Sequence, residues 1–184
     1  YRKAGSRLDI NQLHGKEISY NNIMDMYGAV QIINEFSAPA AAVIKHNNPC
    51  GIAENRSLSK AIEQAIASDS LSAFGGIIVS NRSIGKKEAK LVLDRLGFFE
   101  VFIAPRFFPS ALNALRTRKN LRIIEMGELV KTVKREKMEY RFLEGGVLVQ
   151  EKDPIINQSM TQLKKRLKVA SKRKPSAKDI NELL

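Results

Sequence analysis

The sequence predicts an α/β fold in three layers, a mainly parallel sheet covered by helices. Two observations carry this. Short apolar runs such as Ala40-Ala41-Ala42-Val43-Ile44, Ile77-Ile78-Val79 and Val101-Phe102-Ile103-Ala104 have the length and composition of buried strands. Segments with helical apolar spacing alternate with them, the order that builds a sheet covered by helices. The 184 residues are enough for one domain with a real core.

Taken in order, residues 20–36 are expected to be helical, with Ile23, Met26, Tyr27, Val30 and Ile33 on the inward face. A strand over 40–46 follows, then a turn containing Pro49 and Gly51. Ser57 is the expected N-cap of a helix over 58–68, with Leu58, Ala61, Ile62, Ala65 and Ile66 buried. Gly75-Gly76 lead into a second strand at 77–79. Lys86 to Leu96 is a helix with Ala89, Val92, Leu93 and Leu96 inward, stopped by Gly97. A third strand spans 101–104, a short helix runs from Pro109 to Arg116, and a fourth strand covers 121–125. Met138–Leu143 and Gly146–Gln150 flank Glu144-Gly145 and read as a hairpin or two edge strands. Residues 154–166 read as a loop or an amphipathic helix, 167–170 as one more strand, and Pro175-Ser176 as the start of a last helix. That helix reaches Leu184 without a C-cap and position 1 is Tyr, so a piece of a longer chain is expected.

Composition narrows the function classes. No apolar run approaches the ~20 residues of a spanning helix, and no apolar segment follows Tyr1–Arg7, so neither a membrane protein nor a signal peptide is expected. The single Cys excludes an internal disulfide framework and suits a reducing cytoplasm. The net charge of +12 is uneven: residues 1–105 hold 12 basic and 10 acidic side chains, residues 106–184 hold 19 and 9. A basic second half raises a nucleic-acid-binding module. No nucleic-acid motif accompanies the charge, so an exposed face of a domain with anionic ligands is the favoured reading.

Three clusters carry candidate chemistry. The first is Lys45-His46-Asn47-Asn48-Pro49-Cys50-Gly51, which puts a fixed cation beside a group that titrates near neutral pH at the C-terminal end of a strand. In open α/β sheets that edge is where ligands bind. Lys45 and His46 can meet one ligand only if the strand ends there, since neighbours on a strand face opposite ways. Pro49-Cys50 resembles half of a zinc deaminase signature, but position 53 is Ala and His46 is followed by Asn47, so zinc fails on ligand count. A nucleophilic thiol with His46 as its base is the other sharp reading, and a small buried Cys is preferred to it. The second cluster is Asp69 to Gly76, where Phe74 and two glycines could offer an aromatic face and open backbone N–H groups. Spacing alone favours a tight turn with Phe74 in the core. The third is Glu100 at the head of a strand, a hydrogen-bond acceptor or a solvated carboxylate.

Together with Asn81, Lys119–Arg122, Gly145–Gln150 and Asp153, these clusters resemble AICAR transformylase, the formyltransferase half of a bifunctional purine biosynthesis family whose other half is IMP cyclohydrolase. The resemblance extends to Leu13–Lys16, Ser19–Asn22 and Lys172–Pro175, nearly the whole chain. It implies a subdomain like cytidine deaminase without the zinc. Residues 1–184 would be the first transformylase subdomain, with 160–184 entering the next segment. The cyclohydrolase domain and the second transformylase subdomain would be absent. It implies formyl transfer from 10-formyltetrahydrofolate, as co-substrate, to AICAR, with no metal in this segment. His46 would be the base, and Lys45 would stabilise the oxyanion or protonate the leaving group. Phe74 and Gly75 would contact the aminoimidazole, Glu100 the carboxamide region, and Asn47 and Asn48 the folate. A homodimer is implied, and this segment alone is expected to turn over little. A self-associating remnant is the remaining alternative.

Overall fold

A computed structural model of the chain describes residues 10–127, 138–151, 162, 165, 166 and 168–182. The chain divides into two compact units, residues 1–134 and 135–184.

The first unit is built on a six-stranded sheet in the order β1-β6-β5-β4-β2-β3. The strands are β1 (Asn11–His14), β2 (Ala40–Lys45), β3 (Asn48–Glu54), β4 (Ile77–Ser80), β5 (Val101–Ala104) and β6 (Arg122–Glu125). β4, β5 and β6 are parallel, whereas β2 is antiparallel to both β4 and β3, and β1 is antiparallel to β6. Four of the six strands therefore point one way, and β1 and β2 point the other.

Helices cover both faces, giving the three expected layers. Alternate strand residues sort into two cores, as the period of two requires. Ala40, Ala42, Ile44, Ile77, Val79, Val101, Ile103 and Ile124 meet Met26, Ala29, Val30 and Ile33 of α1 (Tyr20–Ile33). Ala41, Val43, Ile78, Phe102, Ala104 and Ile123 face the other way. They meet α2 (Leu58–Ser68), α3 (Lys86–Arg95) and α4 (Pro109–Leu115) through residues such as Ile62, Ile66, Val92 and Leu115. Phe102 sits at the centre of this core, edge-on to Phe99 and Phe107 with ring centroids 6.3 and 5.3 Å apart.

Helix α1 turns a different face inward from the one its apolar spacing suggests. Ile23 and Tyr27 are 46% and 49% exposed, and Asn22 and Ala29 are buried in their place. The reason is polar: Asn22 has partners in the interior, described below. Asn81 is likewise spent on the fold. Its Oδ1 accepts from the Ala40 N–H at 2.8 Å, and its Nδ2 donates to Phe36 O and Ala38 O, fastening the start of β2.

The segment after Lys45 differs most from expectation. Pro49-Cys50-Gly51 is not a turn but part of β3, an edge strand, where a proline costs no ladder bond it could otherwise make. Val43 pairs with Gly51 and Ile44 with Pro49, so Cys50 is the extra residue of a β-bulge. Gly51 is required because a Cβ there would overlap the Ala65 carbonyl oxygen of α2. The actual turn is His46-Asn47, and the strand expected to reach 46 ends at Lys45.

In the second unit, β7 (Met138–Leu143) and β8 (Gly146–Glu151) form the expected hairpin, and α5 spans Ala177–Glu182. Residues 168–170 are irregular rather than a strand, as suits Lys168-Val169-Ala170 with all three exposed. The reading of 154–166 falls mostly outside the described residues, where 162, 165 and 166 are helical. Among the described residues no helix is long and apolar enough to cross a membrane.

Candidate active site

The reversed direction of β2 decides where the site lies. Lys45 does end its strand, but that end lies beside the N-terminal ends of β4, β5 and β6, not their C-terminal ends. Register shows it: Ile44 pairs with Ile77, Ile77 with Val101, and Val101 with Arg122. The expectation of a place at the carboxyl ends of the parallel strands is therefore corrected: Lys45 lies beside their amino ends. Along this one edge lie Lys45, Phe74-Gly75-Gly76 leading into β4, Glu100 leading into β5, and Arg122 opening β6. Backbone bonds lace them in sequence: Gly75 N–H to Phe98 O at 2.9 Å, Glu100 N–H to Gly76 O at 2.9 Å, and Arg122 N–H to Glu100 O at 3.0 Å.

His46 and Asn47 have φ of 53° and 61°, the paired positive values of a type I′ hairpin turn. Neither residue is glycine, so each pays a left-handed cost of about 1 kcal/mol, least for Asn. Asp25 of α1 holds the turn, its Oδ1 accepting the Asn47 N–H at 2.7 Å. Asn48 Nδ2 donates to the His46 carbonyl at 3.1 Å. The His46 ring is exposed and makes no hydrogen bond or ion pair with a described residue. Lys45 Nζ donates to Phe74 O at 2.9 Å, which leaves two of its three N–H donors.

Phe74 is not in the core. It is 57% exposed and leans on Phe98, centroids 5.6 Å apart, so an aromatic face is presented at the edge. The loop's N–H groups are not open, however. Gly75 N–H is bound to Phe98 O, Gly76 N–H to Ala73 O, and Phe74 N–H reaches toward Leu71 O. Gly75, held at φ 77° where a side chain would be strained, keeps its carbonyl oxygen as its unused backbone group among the described residues. Asp69 braces the loop: its carboxylate accepts the Ser72 N–H at 2.9 Å, and that bond holds its pKa below the ordinary value.

Glu100 is not a free strand-end carboxylate. Asn22 Nδ2 donates to its Oε2 at 2.9 Å, and the Arg122 guanidinium stands 3.7 Å from the same oxygen. Asn22 is 4% exposed, and its own Oδ1 accepts from Ser19 N and Ser19 Oγ in the capping box of α1. Arg122 Nε is bound to Glu17 O at 2.8 Å. One carboxylate oxygen is thus fixed from two sides, and Oε1 makes no hydrogen bond with a described residue. Asp25 was not singled out from the sequence, and Asn22 and Arg122 were named only within the Ser19–Asn22 and Lys119–Arg122 segments, without a role. The signal for Asn22 was a polar residue three positions after Ser19, the capping-box spacing.

Cys50 is half-buried at the bulge and packs against the α2 side of the core. Burial, then the Asp69 charge, push its pKa up, against a smaller lowering by Lys45. A raised thiol pKa is the reverse of what a nucleophile needs. Beside the edge, a depression of about 190 Å³ is lined by Gly97, Phe98, Phe99, Arg118, Lys119, Asn120 and Leu121.

A helix-covered α/β sheet thus carries an imidazole, an ammonium, an aromatic face and a fixed carboxylate along one edge. A family model described as the AICARFT/IMPCHase bienzyme matches residues 1–184, and the chain belongs to this family. It is 39% identical over 177 residues to the bifunctional purine biosynthesis protein PurH of Caldicellulosiruptor bescii, covering 96% of this chain and 33% of that protein. The PurH of Persephonella marina is 42% identical over 173 residues, 94% of this chain and 32% of the relative. That of Bacillus subtilis is 42% identical over 149 residues, 81% of this chain and 28% of the relative. The chain spans about a third of the length of these curated relatives.

Proposed function

We propose that this chain belongs to the formyl-transfer part of a purine biosynthesis enzyme, and that the Lys45–Glu100 edge is its half of the site. The reaction moves a formyl group from 10-formyltetrahydrofolate to the exocyclic amine of AICAR. The amine lone pair is conjugated with the imidazole and carboxamide, so its proton must leave as the new bond forms. His46 takes that proton while the amine nitrogen bonds to the formyl carbon. The oxyanion that develops on the formyl oxygen meets the Lys45 ammonium. Collapse breaks the bond to N10 of the folate, and N10 takes up the proton that His46 removed from the amine. Phe74 stacks on the aminoimidazole, the Gly75 carbonyl accepts an N–H from it, and Glu100 Oε1 accepts from the carboxamide. Asn47 and Asn48, exposed on the hairpin, line the folate side.

The observation that supports this reading most is the convergence of Lys45, Phe74-Gly75 and Glu100 from three separate segments onto one edge. The missing part of the site is assigned to a second subdomain of the same cytidine-deaminase-like fold and to a homodimer.

The test uses the whole protein that carries this chain, assayed for both half-reactions. Lys45→Ala and Phe74→Ala should each lower formyl transfer at least ~10-fold, while closure of formyl-AICAR to IMP stays within about twofold. Loss of ring closure with formyl transfer intact would assign this segment to the cyclohydrolase instead.

A further inference from the structure

We propose that Asp25 is a positioning residue for His46, a role that rests on the reading of His46 as the base. Asp25 lies on α1, in the layer beside the hairpin, and its carboxylate bridges to the turn through the Asn47 N–H at 2.7 Å. In a two-residue I′ turn the flanking residues, here Lys45 and Asn48, carry the ladder pairing. The amide between His46 and Asn47 is outside that ladder, so its N–H must find another acceptor. Asp25 is that acceptor, and the bond is charge-assisted.

The bond selects a conformation as well as satisfying a donor. His-Asn lacks the glycine that normally makes this turn easy, and both residues sit at positive φ. Without Asp25 the exposed amide can be served by water in other turn conformations, and the peptide joining His46 to Asn47 is free to reorient. The imidazole then samples positions off the amine it must deprotonate, and a base misplaced by about 1 Å can cost ~100-fold. The β-bulge at Cys50 and the abutment of Gly51 on α2 fix the far side of the hairpin, which leaves the turn itself as the part that needs this brace.

The experiment is steady-state formyl transfer by the whole protein carrying Asp25→Ala, Asp25→Asn, His46→Ala and the Asp25→Ala/His46→Ala pair. Asp25→Ala should lower kcat ~10- to 100-fold with KM for AICAR within about twofold, because positioning acts on the transition state. Asp25→Asn keeps an acceptor oxygen and should recover to within about fivefold of the parent. In the His46→Ala background, removing Asp25 should cost less than about twofold, the non-additivity expected of residues that act as a unit. A folding defect would instead lower both backgrounds equally and overturn the proposal. So would parental kcat in Asp25→Ala, or a raised KM with kcat unchanged, which would make Asp25 a substrate contact. A His46→Ala loss under threefold would defeat the reading of His46 itself.

Discussion

Replacing Asn22 by Asp converts a donor into a charge at the most constrained point of the site. The substitution keeps size and shape. It removes the Nδ2–H that Glu100 Oε2 receives at 2.9 Å and sets a second carboxylate at about that distance. At ~3 Å and an effective dielectric of ~20, two like charges repel by about 5 kcal/mol. Arg122, 3.7 Å from Glu100 Oε2, and the 41% exposure of the Glu100 side chain reduce this. A net cost of about 2–3 kcal/mol at pH 7 follows. The two carboxyls then share a proton, so the pair's folded pKa lies above its unfolded value of ~4. Stability tied to that proton is fully present below the unfolded pKa and lost as pH rises through the folded one. Urea unfolding followed by circular dichroism should therefore find Asn22→Asp within about 1 kcal/mol of the parent at pH 4 and 2–3 kcal/mol weaker at pH 7. Asn22→Ala, which adds no charge and removes only a donor to the Glu100 carboxylate, should show a deficit that grows less between pH 4 and pH 7 than that of Asn22→Asp. An Asn22→Asp deficit equal at both pH values would refute the contact between Asn22 and Glu100.

Two further outcomes follow from the core and the bulge. Phe102→Ala should destabilise the first unit by about 3–5 kcal/mol, the usual cost of emptying a buried aromatic site, measured by the same unfolding; a loss below about 1 kcal/mol would contradict its place between Phe99 and Phe107. Cys50, with its pKa raised by burial and by Asp69, should react with iodoacetamide at pH 8 at least ~5-fold more slowly in the folded chain than in urea, and equal rates would contradict the half-buried bulge. Because the unfolded thiol ionises first, near pH ~8.5, the same shift should make stability fall as pH rises above that point.

The alternation of helices and apolar strands was legible because the central elements obey pattern. β2, β4 and β5 are short apolar runs, β6 centres on the buried pair Ile123-Ile124, and α2 and α3 bury nearly the residues that their spacing names. The two edge strands were not legible. Asn11-Gln12-Leu13-His14 carries no apolar run, and Asn48-Pro49-Cys50-Gly51 carries turn residues inside a strand. Pro49 is tolerated because β3 is an edge, and Gly51 serves the close approach of α2, so both mark tertiary constraints and not a turn. Missing β3 also hid the reversal of β2 and hence which edge of the sheet Lys45 reaches. The candidate residues Lys45, His46, Phe74 and Glu100 lie in conspicuous motifs and could be named from them. The contacts of Asn22, Asp25 and Arg122 become visible only when α1, β6 and the hairpin are brought to the same edge.

The proposed role of His46 is to remove the proton from the AICAR amine. Its most direct test is the turnover of 10-formyltetrahydrofolate and AICAR by the whole protein carrying His46→Ala, with both substrates saturating. A loss in kcat of at least ~100-fold, the usual size of a general-base contribution, is the result expected. A loss under threefold would contradict it.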